Sequence, residues 1–157
     1  MKTSSISELK KELNELPPKQ LVELCMQLTK FKKENKEFLD YLLFNAHDIN
    51  HFTLLVKGEI DAYFDDINLN LNLYLIKKSL RKITRLLVKY CKYNQNHAFA
   101  IELHIYFCAK LKNSQIDFTQ SQAIVNMYAQ QLKKISILIT KLHPDLQADY
   151  LAEIEQL

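Results

Sequence analysis

Residues Tyr74 to Tyr93 read YLIKKSLRKITRLLVKYCKY, and their spacing decides the fold class. Ile76, Leu80, Ile83, Leu87 and Tyr90 recur every third or fourth position, which places them on one stripe of an α-helix. Lys78, Lys82, Arg85, Lys89 and Lys92 recur in the same way on another side, joined by Lys77 and Arg81, and no acidic residue interrupts them. One face is built for burial, and another is strongly cationic.

The composition around this stretch extends the helical reading to the whole chain. The 157 residues contain one Gly and three Pro. Sheet proteins reverse direction every few residues and draw on Gly for their turns, whereas helical hairpins reverse rarely. An all-α fold is expected: a single-domain bundle of six or seven helices over residues 1–157, or a short stack of helical hairpins. A chain of this size buries about 68–70% of its unfolded surface, enough for an ordinary apolar core. The 48% hydrophobic and 25% charged residues lie in the globular range.

Before the basic segment, a first helix is expected to start at Ser5 or Ser7, Ser5 with Glu8 fitting a capping box, and to carry Leu9, Leu13 and Leu16 as its stripe. Pro17 ends it and Pro18 opens a second helix, with Leu21, Leu24, Cys25, Leu28 and Phe31 read as facing inward. Lys32 to Glu37 is either an exposed continuation or a corner. The apolar run Phe38 to Phe44 is expected to be buried. Gly58, inside or closing the next helix, reads as a kink or a close helix contact. The alternation in INLNLNLYLI, residues 67–76, is a strand signal, but a lone strand has no partner, and a helix start near Asn70 or Asn72 is expected instead.

After the basic segment, Asn96 is the expected cap of HAFAIELHIYFCAKLK, a helix apolar nearly all round and therefore central. NSQIDFTQS is the longest loop, and Thr119 or Ser121 caps a long helix running to Leu142. Pro144 then opens an acidic amphipathic helix. LRKITRLLVKY (80–90) and LKKISILITKL (132–142) share a pattern that would suit stacked hairpins, although amphipathic helices converge on it readily.

The segments ELKKELNELPPKQLVELCMQLTKFKKENKEFLDYLLF and KKSLRKITRLL resemble small helical proteins of bacterial genomes that form an uncharacterised family. The resemblance implies a helical fold and brings no activity, ligand or site residue with it.

The cationic helix is the first functional candidate. Lys77, Lys78, Arg81, Lys82, Arg85, Lys89 and Lys92 can receive an acidic protein partner or, as the alternative, nucleic-acid phosphates without sequence preference, with Tyr74, Tyr90 and Tyr93 available to stack on bases. The competing structural reading is a solvated face, or one paired with Glu59, Asp61, Asp65, Asp66 or the Asp149 and Glu153 helix. His47-Asp48-Ile49-Asn50-His51 distantly resembles a helical zinc pattern, but it is rich in caps, so its histidines are as well placed to straddle a helix start. His97, Glu102 and His104 lack the spacing of carboxylate-bridged metal bundles, and His104 reads as partly buried and satisfied. Cys25, Cys91 and Cys108 have no short paired spacing and read as reduced, buried small hydrophobes.

One Gly leaves no foundation for a Gly-rich phosphate loop or a nucleophile elbow, and no catalytic activity or cofactor is expected. The opening MKTSSISELKKEL enters charged helical sequence directly, and no run of about 18 apolar residues occurs. The reading is a cytoplasmic, non-catalytic helical interaction module without signal peptide or membrane span.

Overall fold

Most of the helices begin where a side chain or a proline resolves the unpaired N–H groups of the first turn. A computed structural model describes residues 3–157; Met1 and Lys2, which open the stretch expected to carry no signal peptide, lie outside them. Among the described residues there are eight α-helices and no strand. They are α1 (Ile6–Asn14), α2 (Pro18–Phe31), α3 (Lys33–Asp40), α4 (Ile49–Asp65), α5 (Leu73–Tyr93), α6 (His97–Lys112), α7 (Gln122–Ile139) and α8 (Pro144–Ile154). The all-α expectation holds. The count exceeds six or seven because Lys32 takes an extended backbone (φ −143°, ψ 144°), which separates α2 from α3.

The local signals act as the sequence indicates. Ser5 and Glu8 form the capping box reciprocally, with the Ser5 N–H donating to the Glu8 carboxylate at 2.7 Å. Pro18 is the first residue of α2. Asn72 caps α5 by accepting the Leu75 N–H at 3.0 Å, so the alternating stretch before it is turn and helix. Asn96 caps α6 by accepting the N–H groups of Ala98 and Phe99.

The described residues fall into two compact units, residues 3–45 and 46–157. Residues 3–45 hold α1, α2, α3 and a π-helical turn at Tyr41–Asn45. α2 packs against α3, and Cys25, Leu28, Thr29, Asn35, Phe38 and Leu42 line an open groove of about 240 Å³ there. The inward positions expected on α2 are not buried: Leu24, Cys25, Leu28 and Phe31 are exposed and Leu21 is half-buried. The Phe38 to Phe44 run differs likewise, since Tyr41 is its one buried member, while Leu42, Leu43 and Phe44 are exposed. Three short helices present apolar stripes with too little covering structure to close over them.

Residues 46–157 hold a true core. α6 lies at its centre, packed against α4, α5 and α7, and α8 packs on α7. Ile101, Leu103, Phe107, Cys108 and Leu111 of α6 are fully buried. They meet Val56 and Ile60 of α4, Leu80, Ile83 and Leu87 of α5, and Ile124 and Ile135 of α7 in one core. The matched segments of α5 and α7 bury corresponding positions, Ile83 with Ile135 and Leu87 with Ile139.

Gly58 is neither a kink nor a close contact. It lies on an exposed turn within α4, and a Cβ built there meets no heavy atom within 4 Å. Gly58→Ala should therefore stabilise the protein by about 0.5–1 kcal/mol by restricting the unfolded chain, seen as a higher urea midpoint with an unchanged slope. Phe107→Ala should cost about 3–5 kcal/mol in the same measurement; a loss below 1 kcal/mol would contradict the central role of α6.

Candidate interaction surface

A helix turns 100° per residue, so Lys77, Arg81, Lys92, Arg85, Lys78, Lys89 and Lys82 fall, in that order, within an arc of about 140°. Ile76, Leu80, Ile83 and Leu87, all buried, lie on the opposite side of α5. Burial of one arc against α4 and α6 therefore fixes the other outward. Lys78, Arg81, Lys82, Arg85 and Lys92 are exposed, Lys77 is half-buried, and the set from Lys78 to Lys92 extends about 21 Å along the helix.

Among the described residues, Lys77, Lys78, Arg81, Lys82, Arg85 and Lys92 form no ion pair. Two of the carboxylates that might have covered them have other partners. Glu59 accepts from the Tyr90 hydroxyl, and Asp61 accepts from the Tyr106 hydroxyl and pairs with Lys110 at 2.7 Å. Burial alone would raise the Asp61 carboxyl, but hydrogen bonds from Lys110 and Tyr106 hold it below its ordinary range. Glu102 pairs with Lys57. Lys89 is engaged, lying 4.4 Å from the centre of the Tyr90 ring.

The three tyrosines differ in what they offer. Tyr74 is 59% exposed within the cationic arc, with the ammonium groups of Lys77 and Lys78 at 5.0 and 4.9 Å from its ring centre. Tyr90 is instead part of the packing, edge-on to Phe52 and Tyr93, and neither Tyr90 nor Tyr93 is displayed for stacking. Val88, 41% exposed, adds an apolar spot in the same arc, one that the lysine pattern conceals in sequence.

The histidine candidates separate. Asp48 is the N-cap of α4, accepting the His51 N–H at 2.9 Å, so His47 lies before the helix and His51 in its first turn. No group of three or more His, Cys, Asp or Glu side chains is placed to hold a metal among the described residues. His97 begins α6, and Glu102 is already paired with Lys57.

His104 corrects the expectation of a partly buried, satisfied ring. It is 5% exposed, and its Nδ1 has no hydrogen-bond partner; the same holds for Oε1 of Gln131, which is 3% exposed. Burial, aided by the nearby Lys134 ammonium, pushes the imidazole down to about 4 against partial opposition from the Gln131 side chain. The cysteines also divide. Cys108 is buried, Cys91 half-buried and Cys25 exposed, contrary to its expected burial. Burial pushes the Cys108 thiol up to about 12 and, despite Lys134, the Cys91 thiol up to about 11. Both are protonated thiols at neutral pH and poor nucleophiles.

No helix among the described residues is long and apolar enough to cross a membrane. No family model, no curated protein and no solved structure matches the chain.

The His104 ring predicts a specific acid sensitivity. In the unfolded chain the imidazole takes a proton near pH 6.5, whereas in the folded protein it stays neutral until about pH 4. Stability should thus be unaffected by this group above pH 6.5 and fall through the window from 6.5 to 4. At pH 4.5 the loss is about 2–3 kcal/mol. Urea unfolding of wild type and His104→Leu at pH 7 and 4.5 checks it: the variant should lose less stability between the two values by that amount. Parallel losses would remove His104 as the cause.

Proposed function

We propose that the chain is a non-catalytic, cytoplasmic helical interaction module that receives an acidic protein partner on the outward face of α5. The observation that supports it is the opposition of the two arcs: burying Leu80, Ile83 and Leu87 leaves Lys78, Arg81, Lys82 and Arg85 outward, with no ion pair to a carboxylate among the described residues. Val88 and Tyr74 add apolar area among the cations, which suits a protein surface with mixed apolar and acidic contacts. A formal net charge of +3 supplies no general attraction to polyanions, so recognition rests on this local array.

The test compares two labelled probes across a salt series: a designed acidic helical peptide, and mixed-sequence DNA and RNA. The peptide should bind at low salt and weaken as salt rises. The combined substitutions Lys78→Glu, Lys82→Glu and Arg85→Glu should reduce its affinity about tenfold or more. Tighter binding of DNA or RNA, lost through the same substitutions, would instead assign the face to nucleic acid. Failure of both probes at low salt would exclude α5 as a binding surface.

A further inference from the structure

We infer that the acidic partner of α5 is α8 of a second copy of this chain, an inference that rests on the proposed role of the α5 face. The two helices carry opposite and unmixed charge. The seven charged residues of α5 are all Lys or Arg, and the charged residues of α8, Asp145, Asp149 and Glu153, are all acidic, with Glu155 following at its C-cap. Both sets belong to the unit formed by residues 46–157.

Each helix buries one side and displays its charges on the other. On α8, Gln147, Tyr150 and Ile154 are half-buried and share one side, while Asp145, Asp149 and Glu153 are exposed on the other. Among the described residues, none of these three carboxylates pairs with a Lys or Arg; Asp145 has only its neighbour His143, at 3.3 Å. The two faces do not satisfy each other within one molecule, because α5 packs on α4 and α6 whereas α8 packs on α7.

The spacings match. Asp145, Asp149 and Glu153 follow one another at four-residue steps, about 6 Å apart along the axis. Lys78, Lys82 and Arg85 follow at steps of four and three, about 5–6 Å apart. Two helices laid side by side can therefore set successive carboxylates against successive cations. Ala148 and Ala152, exposed beside the acidic row, permit close approach, and Leu146 on its other edge is an apolar counterpart for Val88. In a two-fold pair the contact is made twice, α5 of each copy meeting α8 of the other, so the assembly closes without leaving either face open. Exposed ion pairs are individually weak, which makes the expected association concentration-dependent and salt-sensitive.

Sedimentation velocity of the full chain over a concentration series at low and high salt tests this directly. The wild type should form a dimer at low salt, with a dissociation constant that rises about tenfold or more at high salt. One variant combines Lys78→Glu, Lys82→Glu and Arg85→Glu; another combines Asp145→Lys, Asp149→Lys and Glu153→Lys. Each alone should be monomeric, and an equimolar mixture should dimerise again, because acidic then meets basic at both contacts. Circular dichroism verifies that each variant folds; if one does not, the salt dependence of wild type and the behaviour of the other variant decide.

A monomeric wild type at all concentrations overturns the second-copy assignment, as does a dimer that persists in either folded variant or a mixture that stays monomeric. Binding of the acidic peptide by a wild type that is monomeric would retain the α5 reading and assign the face to a different acidic protein. Loss of both would overturn the two together.

Discussion

The structure of residues 46–157 depends on the burial of α6. A helix with Ile101, Leu103, Phe107, Cys108 and Leu111 fully buried has most of its circumference to cover, so three other helices pack around it. Those partners need only one apolar side each. α5 shows the consequence most clearly: once Leu80, Ile83 and Leu87 are committed inward, helical geometry alone determines where its lysines and arginines project. The cationic surface is a by-product of the core in position, and a property of the sequence in sign.

The same burial explains the polar network between α4 and α6. Lys57, Asp61, Glu102, Tyr106 and Lys110 flank the buried rows and pair with one another, and Lys57 and Lys110 also lie over the Tyr106 ring. These pairs engage Asp61 and Glu102. Partly exposed pairs of this kind contribute little stability each, and among the described residues Lys78, Arg81, Lys82 and Arg85 of α5 form no ion pair. His104 is the exception to this local matching. Its ring is inside the core with Nδ1 unpartnered, which costs stability without any compensating hydrogen bond at that atom.

Much of this was legible in sequence, and the part that was not has a definite cause. Caps were readable because they act over three residues: Ser5 with Glu8, Asn72 and Asn96 require nothing from the rest of the chain. The central place of α6 was readable because only complete burial tolerates a helix apolar on every side. Burial in residues 3–45 was not readable, because a stripe such as Leu24, Leu28 and Phe31 reveals which side of a helix is apolar but not whether anything covers it. Phe31 at 76% and Ile6 at 86% exposure mark the difference. A similar limit applied to Cys25, whose apolar neighbours in sequence lie on other sides of the same exposed helix. The pairing of Glu59 with Tyr90 and of Asp61 with Lys110 spans 31 and 49 residues, beyond the reach of any local pattern.

Net charge conceals the organisation that matters most for function. A formal charge of +3 on 157 residues suggests a nearly neutral object, yet in α5 and α8 acidic and basic residues are not mixed. α5 contains no carboxylate and α8 contains no Lys or Arg, and each keeps its buried side toward a different neighbour. Segregation of this kind opposes folding slightly through like-charge repulsion along each helix, since residues three and four apart face one another there. Interspersed signs would relieve that repulsion and also remove the array. For the proposed interaction, an outside surface of opposite sign with matching periodicity would relieve that repulsion. An amphipathic helix of 21 residues provides such a periodicity only along its axis, so the proposal calls for an elongated and regular partner surface.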